Sequence, residues 1–150
     1  MKIIYKSFLI GFFCAILTIV QGYFSMGKYA NEISSGCLEC SFNEILIKYA
    51  VILIFLPTFL IQLIFDKFFK KKYIITILIA FFLIFVWLKV INSDVFETRV
   101  SGWSTFSNAD IESFVFIQSY KPILICISLY LLFTLILNKY FETNSKLKDR

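Results

Sequence analysis

Four long apolar runs, separated by short polar and charged connectors, make up most of the chain. The two middle runs organise the rest. Ile45–Phe65 and Tyr73–Val90 are joined by seven residues, Asp66-Lys-Phe-Phe-Lys-Lys-Lys72. At a helical rise of about 1.5 Å per residue, a run of about 20 residues reaches roughly 30 Å, the thickness of a bilayer's hydrocarbon core. The connector is too short to do more than turn the chain back. Its four lysines resist transfer across a bilayer and mark the cytoplasmic side. The expected fold is therefore all-α: a polytopic membrane protein, one domain over 1–150, forming a four-transmembrane-helix bundle. The helices are expected at about 7–24, 45–65, 73–91 and 114–137, with outer loops 25–44 and 92–113 and both termini cytoplasmic.

The first run follows Lys2 and Lys6 and resembles a signal peptide in outline. No clean small-x-small site follows it, Ser25-Met-Gly27 being nearest, so it reads as a retained span. Ser7, Gly11, Cys14, Ala15, Thr18, Gly22 and Ser25 recur at three- and four-residue steps and share one face. Small residues let helices approach closely in lipid, so this stripe should face the bundle. In the second run Pro57 removes a backbone donor and predicts a kink. Trp87 and Lys89, near the end of the third, read as an interfacial anchor. The fourth is interrupted in sequence by Lys121-Pro122.

Charge agrees with this layout. Ten Lys and Arg fall in the expected inner segments: two at the N-terminus, four in the basic turn and four in the C-terminal tail. The outer loops hold only Lys28 and Arg99, with seven of the ten acids. Hydrophobic residues are 59% of the chain and mean hydropathy is +0.82, well above soluble composition. The net charge of +5 is sorted by side and forms no patch for nucleic acid. There is no His, which removes the commonest general base and metal ligand, so neither a cofactor nor a metal is expected.

Lys48, Lys89 and Lys121 lie within the apolar runs. The first two sit near an interface and can snorkel. Lys121 is deeper, and Gln118 and Ser128 share its helical face. That polar stripe reads either as a recognition or ion-coupling position or as a lysine reaching outward to Asp110 or Glu112.

Cys37-Leu-Glu-Cys40 is a candidate disulfide or redox pair in the first outer loop. Closing so small a loop removes little chain entropy, which favours redox use over stapling. Placed before the second helix, the pair resembles the external CxxC of the DsbB family of quinone-linked disulfide generators. That family also needs a cysteine pair in the second outer loop, absent from 92–113, and an arginine soon after the second cysteine, where Ser41-Phe-Asn-Glu44 stands here. Cys14 and Cys126 read as packing residues.

Phe96-Glu-Thr-Arg-Val-Ser-Gly102, between the third and fourth helices, resembles the Phe-Glu-Leu-Thr-Thr-Ala-Gly stretch of immunity proteins against pore-forming colicins. Phe96, Glu97 and Gly102 coincide, and Arg99 and Val100 depart from the pattern. The four-span plan, the basic middle turn and Lys48-Tyr49 early in helix two are similar too. The resemblance implies a multi-pass protein of the bacterial inner (plasma) membrane. It would bind a toxin's pore-forming domain in the bilayer before the channel opens, without catalysis. Gly11, Thr18 and Gly22, the loop residues Phe96, Glu97 and Gly102, and Gln118, Lys121 and Ser128 are then the candidate partner-binding residues. The partners would be a pore-forming bacteriocin and the lipid bilayer, with self-association into a homo-oligomer also compatible. A DsbB-like thiol-disulfide oxidoreductase using Cys37 and Cys40, and a subunit of a larger membrane complex, are the alternatives.

Overall fold

A computed structural model describes residues 2–68, 72–103 and 106–146. The middle of the basic turn, Phe69 to Lys71, and the C-terminal Lys148 and Arg150 lie outside them. All regular structure among the described residues is helical, and four helices are long and apolar enough to cross a membrane: Ile3–Tyr29, Phe42–Asp66, Tyr73–Arg99 and Asn108–Phe141.

Each span is longer than its apolar core, for local reasons. The first is α1 (Lys2–Met26) with a 3₁₀ turn, Gly27–Tyr29. The second starts at α2 (Phe42–Tyr49), because Ser41 and Glu44 form a capping box. The Ser41 N–H donates to Glu44 Oε2 (2.9 Å) and the Glu44 N–H donates to Ser41 Oγ (3.3 Å). A π-helical segment, Ala50–Phe55, then leads into α3 (Leu56–Phe68). This widening lies just before Pro57, and the Thr58 hydroxyl donates to the carbonyls of Ile54 (2.5 Å) and Phe55 (3.2 Å). The π-helical widening accommodates the missing proline donor.

The third span joins α4 (Lys72–Phe85), a second π-helical segment (Val86–Asn92) and α5 (Ser93–Arg99). The first half of the expected second outer loop is therefore helix. The fourth, α6 (Asn108–Lys146), begins six residues before its apolar run and passes through Pro122 without a break. The Asp110 N–H donates to Ser107 Oγ (3.3 Å) and the Ser107 hydroxyl donates to Asp110 Oδ2 (2.6 Å), which starts the helix early.

The packing is that of a protein apolar on the outside. Phe12, Ile16, Phe81, Phe85, Ile117, Leu124 and Ile125 are exposed while polar Thr18, Gln21, Thr58, Asn92 and Ser119 are buried. The first span touches the other three. A Cβ on Gly11 would lie 3.2 Å from the Phe55 carbonyl oxygen, and one on Gly22 would lie 2.7 Å from Leu46 Cδ2. Phe13 stacks on Phe133 with centroids 4.0 Å apart. Trp87 donates its indole N–H to Thr18 Oγ1 at 2.9 Å, and Thr18 donates in turn to the Cys14 carbonyl at 2.8 Å. The small-residue face is thus spent on contacts inside the bundle. Trp87 is not an interfacial anchor. It is fully buried, because its side of the helix faces the first span, where the indole meets Thr18.

These contacts carry a prediction. Gly11→Leu must push against backbone and is expected to cost about 2–3 kcal/mol. Gly27→Ala, whose Cβ would meet only Tyr23 Cδ1 at 3.6 Å, should stay within about 0.5 kcal/mol of wild type. Thermal unfolding of the two variants in micelles compares them, and equal midpoints would contradict the close approach at Gly11.

Candidate functional site

The Phe96–Gly102 stretch and the first loop form one unit at the end of the molecule opposite the start of α1 and the end of α6. Phe96 points inward, 1% exposed, into a ring cluster with Tyr29, Phe106 and Phe114 at centroid distances of 5.6, 5.9 and 5.1 Å. Glu97, the next residue, is exposed. Gly102 marks a close approach: a Cβ there would meet Ser35 Oγ at 2.4 Å and the Glu97 carbonyl oxygen at 3.1 Å. The Ser35 N–H donates to the Thr98 carbonyl at 2.7 Å, which brings the two connectors side by side.

Arg99 fastens them. In sequence it stood only as a lone basic residue in an acidic loop and as a departure from the family stretch. In the structure it is 3% exposed and its guanidinium reaches across to the first loop. Nη1 donates to the carbonyls of Ala30 (3.2 Å) and Glu32, and Nη2 to the carbonyl of Cys40 (3.0 Å). It also lies over the Phe42 ring, 5.6 Å from its centroid. A planar fork with several fixed donors can serve carbonyls on both sides of a turn, which an ammonium cannot.

Cys37 and Cys40 are joined by a disulfide. The bridge faces a cleft of about 260 Å³ that Glu44, Lys48, Tyr49 and Asp94 also line, where the Tyr49 hydroxyl donates to Asp94 Oδ2 at 2.6 Å. No known protein family, curated protein or solved structure matches this chain. Its function therefore has to be read from its own geometry.

The remaining candidate residues fall into two groups. Gly11, Thr18 and Gly22 are buried between spans of this same chain. Gln118, Lys121 and Ser128 lie on the outward side of α6, with Gln118 half-buried and the other two exposed. Ser128 donates to its own helix, at the Leu124 carbonyl (2.8 Å). Lys121 has no hydrogen bond or ion pair among the described residues, only the Tyr120 ring 5.8 Å away, and it does not reach Asp110 or Glu112. Exposed Ile117, Leu124 and Ile125 surround it on that face. Three other cations in these helices are paired: Lys89 with Glu112 at 2.7 Å, Lys6 with Asp66 at 2.8 Å, and Arg99 with its carbonyls; Lys48, exposed near the start of the second, has no hydrogen bond or ion pair among the described residues.

Proposed function

We propose that the chain is a non-enzymatic immunity protein of the bacterial inner membrane, with both termini in the cytoplasm. It binds the pore-forming domain of a bacteriocin within the bilayer and blocks channel opening. The observation that carries this reading is Lys121, an exposed ammonium beside Ile117, Leu124 and Ile125 on the outward side of α6, with no hydrogen bond or ion pair among the described residues. A charge at such a position costs up to about 3 kcal/mol in lipid and is relieved by an acceptor on a second helix. An inserting toxin hairpin supplies such a helix, and a hairpin without the acceptor is rejected because the ammonium stays unpaired. The resemblance at Phe96, Glu97 and Gly102 supports the same reading. There the inward Phe96 and the clamp at Arg99 hold Glu97 outward for a partner.

The orientation rests on ten basic residues against two, counted as the chain enters the membrane, so later pairing of Lys6 does not weaken it. Expression in a sensitive bacterium, challenged with a pore-forming toxin encoded beside this chain, tests the proposal. Wild type should protect, and Lys121→Ala should lower the tolerated dose about tenfold, the equivalent of one charge-assisted contact of about 1.4 kcal/mol. Absence of protection by wild type removes the proposal.

A further inference from the structure

We infer that the cleft between the first loop, α2 and α5 holds the phosphoethanolamine headgroup of a phospholipid, with Lys48 on its phosphate and Glu44 and Asp94 on its primary ammonium. The inference rests on reading these helices as membrane spans and is independent of toxin binding. Three observations carry it. First, the cleft keeps opposite charges apart. Glu44, Lys48 and Asp94 all line its space of about 260 Å³, yet Lys48 pairs with neither carboxylate. Glu44 spends Oε2 on the Ser41 N–H and Asp94 spends Oδ2 on the Tyr49 hydroxyl, so each keeps a second oxygen for a ligand. A group carrying both signs satisfies both walls at once. Because carboxylates outnumber the lysine, an anion alone is disfavoured and the ammonium is the part the cleft selects.

Second, the order of charges along α2 matches their order in such a headgroup. Glu44 lies one turn, about 6 Å, nearer the loop end than Lys48. In a phospholipid the phosphate adjoins the glycerol and the amine lies beyond it, toward water. Deeper in the span, exposed Ile52 and Leu56 offer apolar surface to the acyl chains.

Third, the cleft discriminates between kinds of ammonium. A primary ammonium donates three hydrogen bonds, enough for both carboxylates, whereas a quaternary one donates none and is held by aromatic cages. Among the described residues that line the cleft, Tyr49 alone is aromatic. The facing wall is fixed before a lipid arrives. Cys37 and Cys40 are bridged, Arg99 Nη2 donates to the Cys40 carbonyl, and the Ser35 N–H donates to the Thr98 carbonyl. Such preorganisation lowers the ordering cost of binding.

The test titrates the full chain, in micelles, with short-chain phosphatidylethanolamine, phosphatidylcholine and phosphatidylglycerol, and with water-soluble glycerophosphoethanolamine. The amide signals of residues 44–49 and 94 report binding. Phosphatidylethanolamine should saturate them and bind at least about tenfold more tightly than the other three compounds. Lys48→Gln removes the phosphate partner and should weaken phosphatidylethanolamine and phosphatidylcholine alike, by about tenfold. Glu44→Gln keeps the capping box, which glutamine also forms, and should instead erase most of the preference between those two lipids. A lysine that only snorkels would not produce this split. Equal binding of the two lipids, or wild-type binding by Lys48→Gln, overturns the inference. Glycerophosphoethanolamine binding as tightly as the lipid overturns a lipid as the ligand. Flotation with vesicles of the same three lipids separates the two readings. A chain that floats with none of them overturns the span reading and the inference with it, whereas one that floats with all three and shows no preference overturns the inference alone.

Discussion

Arg99→Met is expected to loosen the loop end of the molecule while leaving the four spans packed. The side chain donates to three backbone carbonyls from a nearly fully buried position. Hydrogen bonds from a charged donor are each worth about 1.5–3 kcal/mol. The full sum is not lost, because the freed carbonyls lie in a surface loop where water can replace the donor, and burying the charge had itself been costly. The expected loss is about 3 kcal/mol, concentrated in residues 30–41. Amide exchange at Ser35, whose N–H is held by Thr98 at 2.7 Å, is the local measurement. Arg99→Lys should lose nearly as much, since a single ammonium cannot serve Ala30 and Glu32 together with Cys40. Unchanged protection at Ser35 in both variants would show that the backbone contact holds the loop alone.

The second large effect lies at the other end of the molecule. Lys6 and Asp66 pair at 2.8 Å with side chains 7% and 6% exposed, joining the first span to the end of the second. Asp66 Oδ1 is buried and has no further partner among the described residues. Removing one member of a buried pair leaves the other charge uncompensated and typically costs about 3–5 kcal/mol. The two single changes should nevertheless differ. Lys6→Met strands a short carboxylate that cannot reach water, whereas Asp66→Leu leaves a long stem that can extend to lipid headgroups. We expect Lys6→Met to be the more damaging, by about 1–2 kcal/mol, and the double variant to recover most of the loss. Unfolding midpoints of the three variants decide this. A double variant as unstable as Lys6→Met would mean that packing around the pair, not the charge, is what matters.

Much of the architecture was legible in the sequence because a bilayer imposes a length. Apolar runs of about twenty residues specify four helices able to cross a bilayer almost without reference to tertiary contacts. The span ends were less legible. Ser41 and Glu44 form a capping box and Ser107 and Asp110 a helix start, and both signals lay in segments expected to be loop because they are polar. Hydropathy locates the lipid-crossing part of a helix, whereas caps and polar turns decide how far it continues into water. The small-residue stripe of the first span showed which face packs. That face was expected to turn to the bundle, and it does: Gly11 lies against Phe55, Gly22 against Leu46, and Thr18 is buried.

The candidate sites depended on tertiary structure far more. Arg99 and Lys6 both read as topogenic cations, since in a one-dimensional count a basic residue has only a side of the membrane and no partner. The partner carbonyls of Arg99 are 59 to 69 residues away in sequence, and Asp66 is 60 residues from Lys6, so no local pattern could reveal them. Trp87 was misplaced for the same reason, because its partner Thr18 lies on another span.

By itself, then, the sequence determined that this is an all-helical chain with four stretches able to cross a bilayer. Hydrophobic length and the spacing of small residues are local properties that every such helix carries. Only the tertiary structure decided which polar groups are used up inside the molecule and which, like Lys121 and the Cys37–Cys40 bridge, stay accessible. A charge or a thiol has no fixed role until the fold supplies or withholds its neighbours.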